Sequence, residues 1–309
     1  MPRPTTDRRG FTIIELMISL VMGLVVLAAA LSFAVQTWRT FSGGQLREEV
    51  HRNARFVTMS LERDFQFTGV GLGRTASWGT LAAWGDTILV LGVPFEPTEA
   101  PPYDLEPGPG TSNPLPAGGT CGAQCVNLNK DTNGNFDLAV GELARLQVKD
   151  TRRLILVQSV SDLGTEMEVW FSAAPNVLRY PAGLTGGLLL DRFGTFVQEL
   201  RPVVYYVDGQ KLMRAQTFNL DGTPNGAVLA EGVQSWEVRV IFADGDEMDE
   251  ANSLDADDTN NYDDVVGVRI SAVLAADKPH PRVNNGALFT REYEWRFAPR
   301  NLMYERNRT

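Results

Sequence analysis

RRGFTIIELMISLVMGLVVLAAALSFAV, residues 8–35, decides how the rest of this 309-residue chain is read. Ahead of it, Arg3 joins Arg8 and Arg9 against one acid, Asp7. From Phe11 to Val35 the only charge is Glu15, and Leu16–Val35 gives 20 uncharged residues in succession. At about 1.5 Å per residue such a helix spans roughly 30 Å, the thickness of a bilayer's hydrocarbon core. The leading arginines keep the N-terminus cytoplasmic and send the remainder across. Glu15 is the anomaly, because a carboxylate near the start of a membrane helix costs a few kcal/mol unless it is paired or held at the interface. A free α-amino group would be a suitable partner, and a cut just before Phe11 would create one.

These residues carry a resemblance. Arg8-Arg9-Gly10, then Phe11-Thr12-Ile13-Ile14-Glu15-Leu16 and a long apolar helix, resembles the leader and head of a type IV prepilin. The resemblance implies removal of residues 1–10 by a prepilin peptidase, with cleavage between Gly10 and Phe11 and N-methylation of Phe11. It also implies that Glu15 neutralises the N-terminal amine of a neighbouring subunit during assembly. Two other processing readings stand beside it. Ala28-Ala29-Ala30 resembles an A-x-A signal-peptidase site, and Arg8-Arg9-Gly10-Phe11 partly resembles a twin-arginine export signal. Neither explains Glu15.

Composition narrows the remaining choices. The chain is 43% hydrophobic and 21% charged, enough apolar content for one large domain or two small ones. With 28 basic and 38 acidic side chains the formal charge is −10, which disfavours nucleic acid as a direct partner. Two histidines, His51 and His280, leave little room for a multi-histidine metal centre, and two cysteines exclude a disulfide scaffold or a four-cysteine zinc module. No nucleophile elbow is present, so no catalytic residue is assigned and no enzymatic activity is expected.

Beyond the apolar run, Leu46, Val50, Ala54, Val57, Leu61 and Phe65 recur at spacings of three or four and draw one helical stripe. Ser42-Gly43-Gly44 interrupts the pattern and predicts a kink or a locally melted turn. Thr68-Gly69 ends the helix. Gly69-Val70-Gly71-Leu72-Gly73 follows a helix rather than a strand and so reads as a helix stop, not a dinucleotide loop. Eight prolines between Pro94 and Pro116 predict an exposed loop. Strands are expected at Thr87–Val93, Leu143–Lys149, Leu154–Val160, Glu166–Phe171, Val233–Phe242, Val265–Ala275 and Phe289–Ala298. Val203–Val207 and Lys211–Phe218 read as a hairpin turning at Asp208-Gly209.

The expected fold class is therefore α+β and pilin-like. One long N-terminal helix, membrane-spanning in its first half, packs on an antiparallel β-sheet head with long loops. The divisions are a leader at 1–10, a transmembrane and assembly half of the helix at 11–35, an amphipathic half at 36–68 and a β-rich head at 69–309.

The head carries a less specific resemblance. Arg52-Asn53-Ala54-Arg55-Phe56, Leu61-Glu62-Arg63-Asp64, Tyr205-Tyr206-Val207, Leu212-Met213-Arg214, Gly232-Val233 and Arg300-Asn301-Leu302 are together similar to PilW-type minor pilins. This implies an inner-membrane protein with a periplasmic head, incorporated later into a surface pilus. Its implied partners are the prepilin peptidase, other major and minor pilins, the inner-membrane assembly platform and the lipid bilayer. The J-type pseudopilin of type II secretion is similar at the same N-terminal residues, and a head serving adhesion or DNA uptake is a further alternative.

Three head segments suggest binding chemistry. Cys121 and Cys125 form a C-x₃-C that favours a local disulfide in an oxidising compartment, with two free thiols as the alternative. Asp131, Asn133, Asn135, Asp137 and Glu142 fall at positions 1, 3, 5, 7 and 12 of a calcium loop, although Phe136 occupies the place of the usual glycine. An Asx-rich solvated turn fits the same residues. Ten acids between Asp244 and Asp264 account for the whole formal charge and read as a flexible, self-repelling surface loop.

Overall fold

The computed structural model describes residues 12–72, 79–94, 103–104, 125–130, 136–148, 151–173, 195–251, 260–280 and 283–302. Its one long helix, α1, runs Ile13–Gln66. The chain divides into two compact units, residues 1–51 with 276–289 and residues 52–275 with 290–309. The division falls inside α1.

In the first unit α1 presents its apolar residues outward. Ile13, Leu16, Leu20, Leu24, Leu27, Leu31 and Phe33 are all more than half exposed. Such a surface is unfavourable in water and suited to lipid or to other apolar helices. Among the described residues this is the one helix long and apolar enough to cross a membrane.

The locally melted turn expected at Ser42–Gly44 does not form, because α1 is helical throughout that stretch. Gly43 instead permits a close approach. A Cβ there would lie 3.1 Å from Val283 Cγ2 and 3.7 Å from His280 Cε1. Ser42 Oγ lies 2.9 Å from His280 Nε2, and the Arg47 guanidinium sits 5.7 Å above the Phe289 ring.

In the second unit the predicted stripe is the buried face of α1. Ala54, Val57, Leu61 and Phe65 are all almost fully buried, as is Val50 one turn earlier, whereas Leu46 is only half-buried. Burying a side chain of Val, Leu or Phe size stabilises by about 1.5–3 kcal/mol, so this face dominates the helix's attachment.

The rest of the unit is antiparallel strand. The elements are β1 (Leu81–Trp84), β2 (Thr87–Gly92), β3 (Tyr103–Asp104), β4 (Cys125–Asn129), β5 (Leu143–Val148), β6 (Thr151–Asp162), β7 (Glu166–Ala173) and β8 (Thr195–Glu199). They continue with β9 (Arg201–Asp208), β10 (Lys211–Phe218), β11 (Pro224–Glu231), β12 (Val233–Phe242), β13 (Glu247–Met248), β14 (Val265–Ala275) and β15 (Thr290–Phe297). Rather than one sheet they build three, ordered β1-β2-β9-β10-β11, β13-β12-β14-β15 and β3-β8-β5-β6-β7-β4. The six-stranded sheet has its own core, including Leu128, Leu146, Ile155, Phe171 and Val197.

The β9–β10 hairpin forms one residue later than its turn dipeptide suggested. Asp208 pairs with Lys211, which leaves Gly209 and Gln210 as the loop. Only Gly209 has a positive φ, +61°, as a type II′ turn requires at its first central position.

Two expected loops contain structure. Within the proline-rich segment, Tyr103 and Asp104 form the edge strand β3 on β8. Buried Tyr103 stacks obliquely on Phe136 with ring centroids 4.6 Å apart, and its hydroxyl accepts the Asp137 N–H at 3.0 Å. An edge tolerates neighbouring prolines because their missing N–H groups are not needed in a ladder.

The acidic segment is likewise pinned at both ends rather than free throughout. Glu247–Met248 pair with β12, and Glu247 forms a 2.8 Å ion pair with Arg269 of β14. The Ala243 N–H donates to the Asp264 carbonyl at 3.0 Å. Arginines on the two adjacent strands offset the like-charge repulsion, since Arg239 also lies 3.7 Å from Asp249.

Gly232 separates β11 from β12 at φ +80°, and a Cβ there would collide with the Ala275 carbonyl oxygen. The Ala275 N–H in turn donates to the Gly232 carbonyl at 2.7 Å. Gly232→Ala should therefore destabilise the protein by about 2 kcal/mol or more, since a left-handed L-residue alone costs about 1–2 kcal/mol. Urea titration of the variant against the parent measures this.

Candidate functional site

At the start of α1, Thr12 and Glu15 form a reciprocal cap. The Glu15 N–H donates to Thr12 Oγ1 at 3.3 Å, while the Thr12 N–H donates back to Glu15 Oε2 at 3.4 Å. This is the capping box pattern, in which a threonine and a glutamate three residues on satisfy each other's free helix-end donors. The carboxylate also faces the positive end of the helix dipole. Glu15 is exposed at the head of a surface with no other charge as far as Arg39. It combines a local duty, closing the helix, with spare acceptor capacity, since a carboxylate offers about four lone-pair sites. Gly10 and Phe11 lie outside the described residues.

The other end of α1 is bolted to the sheets by residues drawn from several separate sequence motifs. Asp64, its side chain 1% exposed, receives Arg214 of β10 through two hydrogen bonds, Nε at 2.6 Å and Nη2 at 3.0 Å. The Tyr205 hydroxyl of β9 donates to the same carboxylate, and Arg63 approaches from the helix at 3.4 Å. Burial pushes the Asp64 carboxyl up, but the Arg214 and Tyr205 hydrogen bonds and the nearby guanidinium charges outweigh it and hold the group below its usual range. Burial and the Asp64 charge raise the Tyr205 phenol, which therefore stays a neutral donor.

Four further contacts complete the attachment. Trp295 Nε1 donates to Thr58 Oγ1 at 2.8 Å, and Phe65 stacks on Phe297 with centroids 4.5 Å apart. Asn301 Nδ2 donates to the Thr68 carbonyl at 3.0 Å, beyond the end of the helix. The Gly69 N–H donates to the Leu91 carbonyl at 2.8 Å, tying the glycine-rich stop to β2. Leu61-Glu62-Arg63-Asp64, Tyr205, Arg214 and Asn301 are thus parts of one anchoring arrangement.

The remaining candidates are only partly described. Cys125, fully buried at the start of β4, is disulfide-bonded, and Cys121 lies outside the described residues. Of the calcium-loop candidates, Asp131, Asn133 and Asn135 also lie outside them. Glu142 Oε2 accepts the Ala139 N–H at 2.7 Å, closing the turn that leads into β5. Burial raises the Glu142 carboxyl and Asp137 adds to the rise, against the lowering effect of that N–H. Among the described residues no three His, Cys, Asp or Glu side chains converge on one point.

A family model, the prokaryotic N-terminal methylation motif, matches residues 5–31. The matched stretch spans Arg8–Gly10, Phe11, Glu15 and the first part of the apolar run, and it supports a type IV prepilin-like protein, a pilin or a pseudopilin. Proteins with this motif are processed by prepilin peptidase and associate with other pilins, and the apolar helix that begins within it is consistent with membrane anchoring. No curated protein matches the chain.

Proposed function

We propose that this chain is a minor type IV pilin, a structural subunit that enters the inner membrane as a single pass and is then drawn into a filament. The observation that carries this reading is the methylation motif at residues 5–31 running directly into an unbroken helix with an exposed apolar surface. In this reading the prepilin peptidase cuts between Gly10 and Phe11 and methylates Phe11, leaving the cytoplasmic leader behind. The apolar half of α1 then exchanges lipid for the helices of neighbouring pilins, a transfer between two apolar surroundings that costs little. Glu15 sets the register: in that setting a bare carboxylate costs a few kcal/mol, which the N-terminal amine of an adjacent subunit relieves. The head stays in the periplasm until the subunit reaches the cell surface. Its rigid attachment through Asp64, Arg214 and Tyr205 passes any pull on the head to the helix.

The same motif serves pseudopilins, so partners decide between the two filament systems. Affinity purification of the tagged, cross-linked full chain from membranes should recover pilins and the pilus assembly platform. Recovery of type II secretion components alone would reassign the subunit to a pseudopilus.

We also propose that the disulfide on Cys125 closes on Cys121. A ring of five residues restrains the unfolded chain only modestly, so reduction should lower stability by about 2 kcal/mol at most. A melting temperature unmoved by reductant, together with two thiols that label without it, would reject the pairing.

A further inference from the structure

The first unit joins the membrane half of α1 to a second, distant stretch of sequence, Ala276–Phe289, which links β14 to β15. Its seat on the helix is specific. His280 Nε2 meets Ser42 Oγ at 2.9 Å, and Val283 fills the space above Gly43, where a Cβ would come within 3.1 Å of it. Farther along, Phe289 lies under the Arg47 guanidinium.

The position of that seat follows from helix geometry. If the hydrocarbon layer ends at Val35, Trp38 lies about 4–5 Å beyond it and Ser42 about 10 Å beyond it. The headgroup layer on each side is about 5–7 Å thick, and a tilt near 20° shortens these heights only slightly. Trp38, 73% exposed, therefore sits at headgroup depth, where tryptophan is favoured. The Ser42–Gly43 seat lies just outside that layer. Exposed Lys278 is two residues from the pinned His280, and a lysine side chain is long enough to span the gap that remains.

The chemistry at that level fits phosphate. Arg39 and Lys278 are exposed, and among the described residues Lys278 is paired loosely with Asp277 at 3.7 Å, which is itself 71% exposed. Glu48 and Glu49, the nearest acids on the helix, lie about 9 Å or more farther from the bilayer than Ser42. A lysine near an anionic surface is drawn to it.

We infer that residues 276–289 form a foot that rests on anionic phospholipid headgroups while the subunit waits in the membrane, and so fixes how far α1 sinks into lipid. This rests on the membrane-spanning reading of α1. It gives the subunit a second contact with the bilayer, distant in sequence from the helix, which must be released when the subunit is extracted into a filament.

The test uses the full mature chain in vesicles of phosphatidylcholine, with and without phosphatidylglycerol. Single cysteines replacing Trp38, Glu49 or Pro279 carry a fluorescent label, attached without reductant, and a headgroup-linked nitroxide lipid quenches it. The label at 279 should be quenched more like that at 38 than that at 49, and more strongly in the anionic vesicles. Lys278→Glu should remove the anionic enhancement, and Gly43→Leu, by displacing Val283, should reduce quenching at 279 while leaving 38 unchanged. Strong quenching at 38 with only the level of 49 at 279, in both lipids, would overturn the foot. No quenching at 38 would instead overturn the membrane-spanning reading itself.

Discussion

Asp64→Ala is expected to lower the stability of the protein by about 3–5 kcal/mol, the cost of removing one partner from a buried ion pair. The variant strands the Arg214 guanidinium, whose side chain is 15% exposed, and leaves the Tyr205 hydroxyl without its acceptor. Arg214→Ala should be comparably severe, because the Asp64 carboxylate is then buried with a single neutral donor and the exposed Arg63. Replacing both members with apolar residues of similar volume should recover much of the loss, since the penalty comes from an uncompensated charge rather than from a missing attraction. Denaturant titration of the four proteins tests this, and an Asp64→Ala loss below about 1 kcal/mol would show the pair to be incidental.

The same group sets an acid limit. Asp64 is held below its usual range in the folded protein, so its contribution to stability is fully present above the unfolded carboxyl pKa. That contribution is lost as the pH falls through the lower, folded value. Acid destabilisation of the parent should therefore steepen below the ordinary carboxylate range, and Asp64→Ala should remove that component of the slope.

At the other end of the helix, Glu15→Ala and Glu15→Gln separate two duties that one carboxylate performs. Alanine removes both the charge and the bond to the Thr12 N–H. Glutamine keeps an acceptor suited to a capping box and removes only the charge. If Glu15 pairs with a neighbour's amine, both variants should insert normally yet lose filament incorporation roughly 30-fold or more. That figure corresponds to the 2–5 kcal/mol cost of truncating a buried charge pair at an interface. If the cap were the whole role, glutamine would restore incorporation and only alanine would fail. Quantitative immunoblotting of sheared filaments against membranes reads the ratio directly.

The halves of the molecule differed in how much their residues disclosed. A continuous apolar run carried the first half of α1, and an apolar stripe at spacings of three or four carried its second half to Phe65, because burial on one helix face repeats at that interval. The long strands β12 and β14 were legible to the residue, since alternation and β-branched content coincide there. β11 was missed because Pro224-Asn225-Gly226 opens it like a turn. It survives as a strand because it pairs on one side only, with register shifts that absorb the irregular residues. β3 was hidden among prolines that an edge position tolerates.

The division into three sheets was not legible at all, because pairing over long sequence separations leaves no local mark. Nor was the Asp64–Tyr205–Arg214 cluster, because Asp64 lies 141 and 150 residues from its two partners, although the segments containing them had been singled out. The Thr12–Glu15 cap is written in the sequence as T-x-x-E, a capping signature masked by the solitary charge in an apolar run. Ser42-Gly43-Gly44 misled for the opposite reason. Two adjacent glycines weaken a helix by about 1 kcal/mol each, but the stretch stays helical, and one of them admits Val283 in close tertiary contact.

Mass spectrometry of the N-terminal peptide of the mature protein, isolated from the cell envelope, bears most directly on whether this chain is a processed pilin-like subunit. A peptide that begins at Phe11 and carries one methyl group on its α-nitrogen is the predicted result. A first residue near Leu31, or an unprocessed Met1, would contradict it.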